Sequence, residues 1–395
     1  MTYPDYVDNL IRRLTDAGYE AYLVGGGLRD SLLGTSPADF DLTTSATPDE
    51  TLEVFSDMKT IPTGLKHGTV TVLSEGHPVE ITTFRIDGDY TDSRHPDSVS
   101  FTRSLEEDLA RRDFTVNAMA YNKDRGLVDL YGGRSDLENK TIRAVGDPHK
   151  RMTEDALRIM RALRFEAQLG FSIEKNTEDA LRDCREGLST VSAERRAAEL
   201  MNLLFSKHHV RAMHHLLELG IGKYLFGDYR PSDALIDILP RIDAEPADRL
   251  GALLFECDID KARSILRDLK FSNALVRDTL TVISGRDVSL PETDADARRF
   301  IARFGEHSRT VAYLHAFLGG KNVSALLFKV MREGFCSSIA ELAINGSDLM
   351  ALGYSGKQIG KTLEALFELV LEMPEMNEKE SLIKEALRLK GEINA

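Results

Sequence analysis

The chain has 395 residues, 42% of them hydrophobic, enough for two to four modules and too many for one ordinary core. Its formal net charge is −14, so a nucleic-acid partner would have to meet a local basic stripe, because the bulk field repels it. No run approaches the roughly 20 apolar residues that span a bilayer, so no membrane-spanning helix is expected.

The start, Met1-Thr2-Tyr3-Pro4-Asp5, lacks the basic residues and apolar run of a signal peptide, so a cytoplasmic protein is expected. No obligate protein partner is evident. Cys184, Cys257 and Cys336 lie far apart without metal-ligand spacing and are expected to be reduced.

Residues 19–24 (YEAYLV) predict a short strand running into Gly25-Gly26-Gly27, and residues 28–33 a helix closed by Gly34. Residues 69–73 (TVTVL) and 79–84 (VEITTF) are β-branched and alternate in polarity, predicting two strands with His77-Pro78 in the turn between them. From about Arg151 helical periodicity dominates, punctuated at 228–231, 289–291 and 373–374. Neither an internal repeat nor a low-complexity segment is present.

The strongest chemical signal is Gly25-Gly26-Gly27-Leu28-Arg29-Asp30 followed by Asp39-Phe40-Asp41-Leu42. Glycines between strand and helix allow close approach of backbone or phosphate, and the helix start offers free N–H groups to a triphosphate. Asp39 and Asp41 are two apart, so on an extended strand they point to one side and can hold two Mg²⁺ ions for in-line displacement. Glu80, on the predicted strand with Thr82, is a candidate third carboxylate. A dinucleotide-binding turn fits less well, because Asp30 stands where its third glycine belongs.

Together with Arg111-Arg112-Asp113-Phe114-Thr115-Val116-Asn117-Ala118 and Glu154-Asp155-Ala156-Leu157-Arg158, these motifs resemble the bacterial class II tRNA nucleotidyltransferases, the CCA-adding enzymes, with the bacterial poly(A) polymerases as near relatives. The resemblance is firm over residues 20–205. It departs at Gly27, where the family more often has a small side chain; the loss of bulk should be tolerated. It implies an α+β fold: a polymerase-β-like nucleotidyltransferase head or palm (1–140), then an elongated all-α neck (141–205), body (206–300) and tRNA-binding tail (301–395). It implies catalysis by Asp39, Asp41 and Glu80, with Asp39 and Asp41 holding Mg²⁺. Gly25, Gly26 and Arg29 would bind the nucleotide, and Arg112, Asp113 and Asn117 its sugar and triphosphate. The substrates implied are CTP, ATP and the tRNA 3′ end.

Asp155 and Arg158 are three apart, hence adjacent on a helix. Asp accepts and Arg donates, which matches the amino donor and ring acceptor of cytosine and adenine and mismatches guanine and uracil. Such a pair selects C and A without a template. Arg161 and Arg164 continue the stripe toward the triphosphate or the growing 3′ end, and Glu194 or Arg195 in Ser192-Ala193-Glu194-Arg195-Arg196 is placed to brace the pair, with Ser192 as helix N-cap.

Residues 84–101 are polar with Gly88 and Pro96 and predict a mobile loop; in the family a loop here goes with the final A addition, against a CC-only enzyme. A-only addition remains an alternative. A poly(A) polymerase fits less well because the basic C-terminal extension of those enzymes is missing, and a binding module with an inactive palm because both aspartates are intact. In the helical half Ser355-x-x-Gln358 predicts a capping box, with Lys357 and Lys361 placed for a phosphate contact. Lys207, His208, His209, His214 and His215 are read as helix-surface residues, and no His-Asp dipeptide of a phosphohydrolase domain occurs.

Overall fold

The computed structural model describes residues 3–87 and 99–393. Its contacts divide the chain into two compact units, Met1–Arg230 and Pro231–Ala395.

The first unit opens with helix α1 (Asp5–Asp16), whose apolar side buries Val7, Leu10, Ile11 and Leu14. Strand β1 (Ala21–Val24) follows, then helix α2 (Gly25–Leu32), β2 (Asp41–Thr44), helix α3 (Pro48–Val54), β3 (Thr60–Gly64), β4 (Thr69–Ser74) and β5 (His77–Thr83). With β8 (Met119–Asn122) and β9 (Gly126–Asp129) they form one seven-stranded sheet in the order β3-β4-β5-β2-β1-β8-β9. Neighbours run antiparallel except β2 and β5, which are parallel. The alternation in TVTVLS becomes alternating burial along β4, because one face of the sheet packs on the core. Tyr22, Val24, Phe84, Leu109 and Ala120 form a second apolar cluster on this scaffold.

Three local expectations are corrected. The β4–β5 turn is Glu75-Gly76, both at positive φ (51° and 84°), and His77-Pro78 already belongs to β5. A two-residue hairpin needs that left-handed backbone, which glycine supplies and proline cannot. Helix α2 starts at Gly25 rather than after the glycines. The segment read as a loop begins and ends in paired strands, β6 (Arg85–Asp87) and β7 (Val99–Phe101); its residues 88–98 lie outside the described residues.

Helix α4 (Leu105–Ala110) is followed by a 3₁₀ turn (Thr115–Asn117) between it and β8, then helix α5 (Gly133–Glu138) and the short β10 (Thr141–Ile142). Beyond lie α6 (Pro148–Glu154), α7 (Leu157–Leu169), the short β11 (Ser172–Ile173), which pairs with β10, α8 (Lys175–Asp183), α9 (Ala193–Leu204) and α10 (His209–Glu218). Ser192 occupies the N-cap position of α9, but its side chain makes no capping bond. The histidines do not all face water, as had been expected. His209 is buried with Nδ1 2.7 Å from the Ser206 carbonyl, and half-buried His215 lies 2.7 Å from Glu166 Oε2, because α7 and α10 pack together.

The second unit is helical, with no strand among the described residues. Its last part gathers Ile344, Leu349, Tyr354, Leu366, Val370, Leu382 and Ala386 into one cluster. The expected capping box is not formed: the helix Lys357–Glu372 starts after Gly356, at φ 53°, without a side-chain cap. The buried Tyr354 hydroxyl donates to the Ala386 carbonyl at 2.6 Å, and this tertiary anchor sets the approach to the helix. Cys257 and Cys336 are buried, Cys184 is half-buried, and all three are free thiols. No helix among the described residues is long and apolar enough to cross a membrane.

Candidate active site

One cavity of about 940 Å³ in the first unit is lined by Gly25, Gly26, Arg29, Asp39, Asp41, Glu80, Arg112, Asp113, Asn117, Asp155, Arg158, Arg161 and Arg164. Every residue expected to act on the nucleotide or its metal therefore lines this one place, from segments more than a hundred residues apart, whereas Lys357 and Lys361 lie in the second unit. Eight arginines and six carboxylates line it, so the local field is positive although the chain carries −14.

Asp41 opens β2 and is in register with Val24 of β1 on one side and Glu80 of β5 on the other. This places it beside the glycine turn, since Val24 leads directly into Gly25. Asp39 lies ahead of the strand rather than on it, because β2 begins only at Asp41. Burial, then the Asp39 and Glu80 carboxylates, push the Asp41 carboxyl up to about 6, against the pull of Arg112. Gly25 is left-handed (φ 67°) and lets the chain turn from strand into helix without a cap. Gly27 packs against backbone: a Cβ there would stand 2.7 Å from the Asp39 carbonyl oxygen, so a side chain would have to shift one of the two segments.

The oxygens of Asp39, Asp41 and Glu80 are the hard donors that suit a divalent cation. Among the described residues no three His, Cys, Asp or Glu side chains gather into a metal cage.

On the other wall, Arg111 and Arg112 are tied to one fully buried carboxylate. Asp108 Oδ1 accepts from Arg111 Nη2 at 2.7 Å, and Oδ2 from Arg112 Nη2 at 3.1 Å and from Thr43 Oγ1 at 3.2 Å. Burial pushes Asp108 up, but the two arginines outweigh it and hold the carboxyl below its usual range. Arg29, buried, donates to Asn117 Oδ1 at 2.9 Å, and Asn117 Nδ2 donates to Asp113 Oδ1 at 3.2 Å. Asp113 Oδ2 takes Arg161 Nε and Nη2 at 2.9 and 2.7 Å.

The helix expected to carry Asp155 and Arg158 is broken between them. α6 ends at Glu154, Asp155 is extended (φ −139°, ψ 101°), and α7 begins at Leu157. Asp155 causes the break, since its Oδ1 accepts from Leu157 N at 3.0 Å and its Oδ2 from Arg195 Nη2 at 3.0 Å. Arg158, also buried, donates from Nη1 to the Arg151 carbonyl (2.9 Å) and Glu154 Oε2 (2.8 Å), and from Nη2 to the Arg111 carbonyl (3.0 Å). A guanidinium has five N–H donors and a carboxylate about four acceptor sites, so each group keeps about two for a ligand. Their protein partners fix the orientation of both.

Arg164 is held by Glu199 Oε2 at 2.6 Å, while Arg161 reaches Glu199 Oε1 at 3.8 Å. The guanidinium carbons of Arg29, Arg161 and Arg164 stand 5.3, 5.4 and 4.2 Å from the centre of the buried Phe165 ring. Asp108, Phe165 and Glu199 escaped the reading of the sequence, as did the bracing of Arg158 by Glu154, which was quoted only as part of its motif. For Asp108 and Glu154 a signal was present, an acid three or four residues before an arginine of the motif.

Residues 21–143 match the family model described as the "Poly A polymerase head domain", and residues 170–231 the one described as "Probable RNA and SrmB- binding site of polymerase A". Residues 248–386 match the model for domain 2 of tRNA nucleotidyltransferases. The chain is 39% identical over 368 residues to a CCA-adding enzyme of Lactobacillus helveticus, covering 92% of this chain and 91% of that one. It is 38% identical over 386 residues to that of Geobacillus thermodenitrificans, covering 94% of each. Among solved structures, that of the Bacillus stearothermophilus CCA-adding enzyme in complex with CTP superposes with a TM-score of 0.82 at 32% identity, covering 100% of both chains.

Proposed function

This chain belongs to the bacterial CCA-adding enzymes, tRNA nucleotidyltransferases, and on that footing we propose how its own residues add C, C and A to a tRNA 3′ end. The substrates are CTP, ATP and the tRNA 3′-hydroxyl, and the reaction is attack on the α-phosphate with release of pyrophosphate, carried out in the cytoplasm.

Asp39 and Asp41 would hold Mg²⁺, which when bound would supply charge neutralisation and hydroxyl activation for in-line displacement. Glu80, in register with Asp41, adds to the negative field that draws the cations in. Gly25 and Gly26 present the start of α2 to the triphosphate, where free N–H groups and the helix dipole meet the anion. Arg112, fixed by Asp108, and Arg161 and Arg164, fixed around Phe165, add positive charge to the same wall. Asn117, held between Arg29 and Asp113, faces the ribose. The boundaries at 140, 205 and 300 are retained as functional divisions into head, neck, body and tail.

Base choice rests on Asp155 and Arg158. The observation that carries it is that both groups are braced by protein partners and still keep free acceptor and donor sites on the cavity that holds Asp41. A carboxylate beside a guanidinium matches the amino and ring-nitrogen edge of C and A. With G or U it sets acceptor against acceptor and donor against donor, at about 1–3 kcal/mol for each buried mismatch.

Nucleotide incorporation on tRNA ending before CCA, after C and after CC tests the whole reading. Stepwise addition of C, C and A with a stop is expected. Extension of the CC-ended tRNA alone would make the chain an A-adding enzyme, an unlimited A tail a poly(A) polymerase, and binding of CTP without incorporation an inactive palm.

A further inference from the structure

Asp108 lies in α4 with no exposed surface, three and four residues before the two arginines it holds. It also takes the Thr43 hydroxyl of β2 at 3.2 Å. Thr43 is two residues on from Asp41, so Asp108 is anchored on the same face of that strand as a carboxylate assigned to the metal. A carboxylate buried in this way is costly unless its charge is met. Here it is met by two arginines that line the nucleotide cavity, where other acids stand ready to pair with them.

Arg112 and Asp41 are near enough for such a pair. Arg112 Nη1 and Asp41 Oδ2 each lie 3.8 Å from the point where a Cβ on Gly25 would stand, and Gly25 has no side chain to keep them apart. Among the described residues they nevertheless form no ion pair. Arg112 donates instead from Nη2 to Asp108 at 3.1 Å and from Nη1 to the Asn117 carbonyl at 3.4 Å. The second bond is long, and Arg112 Nε is buried without a hydrogen-bond partner, so Asp108 is the one charged hold on this guanidinium. A guanidinium that closed on Asp41 would neutralise it and occupy the oxygens that a divalent cation needs.

We propose that Asp108 is a positioning residue that holds Arg112 off Asp41 and so keeps the metal carboxylates open. Without that hold Arg112 turns from a nucleotide contact into an internal competitor of the cation. The inference rests on the assignment of Asp39 and Asp41 to the metal.

The test reads metal binding without nucleotide or turnover. Mn²⁺, which shares the oxygen ligands of Mg²⁺, is titrated into the full nucleotide-free chain, and the free ion is counted by electron paramagnetic resonance. Asp108→Asn should weaken Mn²⁺ binding about tenfold, the order expected when an ion pair competes for a partly buried carboxylate. Loss of a negative charge would weaken a cation by itself, so two double variants of equal net charge separate the causes. Asp108→Asn with Arg112→Met should restore the native affinity, whereas Asp108→Asn with Arg111→Met should not. Equal rescue by both, or an unchanged affinity in Asp108→Asn, would overturn the inference. Melting curves check folding. If Asp108→Asn does not fold, Thr43→Val takes its place, since it removes only the hydroxyl that anchors Asp108 Oδ2. A loss of about threefold that Arg112→Met reverses is then expected, as for one hydrogen bond, and no loss would overturn the inference. Native chain that binds no Mn²⁺, or Asp41→Asn that binds it as the native chain does, would bring down the metal assignment instead, and this inference with it.

Discussion

Asp113 and Arg161, 48 residues apart in the chain, are joined by two hydrogen bonds, Nε and Nη2 to one carboxylate oxygen at 2.9 and 2.7 Å. The pair ties the turn before β8 to helix α7, and so ties Asn117, which donates to the same carboxylate, to the arginines that flank it. Burial alone would raise Asp113, but Arg161 and Asn117 outweigh it and bring its carboxyl down to about 2. A depressed carboxyl stabilises the fold above its unfolded pKa, about 3.9, and that stabilisation is lost as pH falls toward 2. Arg161→Ala strands a buried charge, so the melting temperature at pH 7 should drop, by roughly 3–5 kcal/mol of stability. The deficit of this variant should shrink as pH falls toward 3, because protonation relieves the stranded carboxylate while the native pair loses its contribution. Melting curves from pH 7 to pH 3 check both; superimposable curves would refute the role of the pair.

The carboxylates around Asp41 give a different pH dependence. Its carboxyl, raised to about 6, must lose its proton before it can hold a cation. Mg²⁺ affinity of the nucleotide-free enzyme should therefore be flat above pH 7 and fall about tenfold per unit below about pH 6. Asp41→Asn should remove the dependence together with activity, and leave the melting temperature equal or higher because a like-charge repulsion is gone. Titration calorimetry with Mg²⁺ at pH 5.5, 6.5 and 7.5 decides it. Asp39→Ala or Asp41→Ala should abolish incorporation with the fold intact, and near-normal rates in either would remove the metal assignment.

Substitution of Arg158 and of Arg195 separates the base reading proposed for the first from the bracing of Asp155 by the second. Arg158→Ala removes the donor to the base, so discrimination against UTP and GTP should fall about 10- to 100-fold, from the roughly 1–3 kcal/mol that an unmatched group costs. Arg195→Ala leaves the donor but frees Asp155, whose Oδ2 it now holds at 3.0 Å. The rate with CTP and ATP should drop while the rejection of UTP and GTP survives in part. Competition assays with all four nucleotides check this, and identical selectivity in native enzyme and Arg158→Ala would end the templating argument.

The sequence could reveal the site as far as its residues act within one segment. Asp39, Asp41 and the glycines sit in one strand–turn–helix stretch, so spacing alone suggests a phosphate cradle beside paired acids. Asp155 and Arg158 were readable as neighbours, but the break between them was not, because no glycine or proline marks it. It comes from Asp155 capping Leu157 while held by Arg195, 40 residues on. Likewise Asp108, in a helix whose first turn carries Glu106 and Glu107, reads as a solvated acid until the fold buries it under Arg111 and Arg112. Ser192 and Ser355 show the converse, good local capping residues that tertiary contacts leave unused.

Gly27 offers a test in which geometry and resemblance disagree. The resemblance allows a small side chain, whereas here a Cβ would meet the Asp39 carbonyl oxygen at 2.7 Å and Phe40 Cα at 3.3 Å. Both neighbours are backbone, so the clash cannot be relieved by a rotamer change and must move the segment that carries Asp39. Gly27→Ala should therefore cost about 1–3 kcal/mol of stability, as overpacking does. It should also lower kcat about tenfold or more through displacement of Asp39, since misplacement of a reacting group by an ångström is felt at that scale. The KM for tRNA should hardly change, because the displaced residue, Asp39, is assigned to the metal and not to the RNA. Steady-state kinetics and a crystal structure of the variant check it: full activity with Asp39 in place would mean that α2 shifts as a body to admit the methyl group.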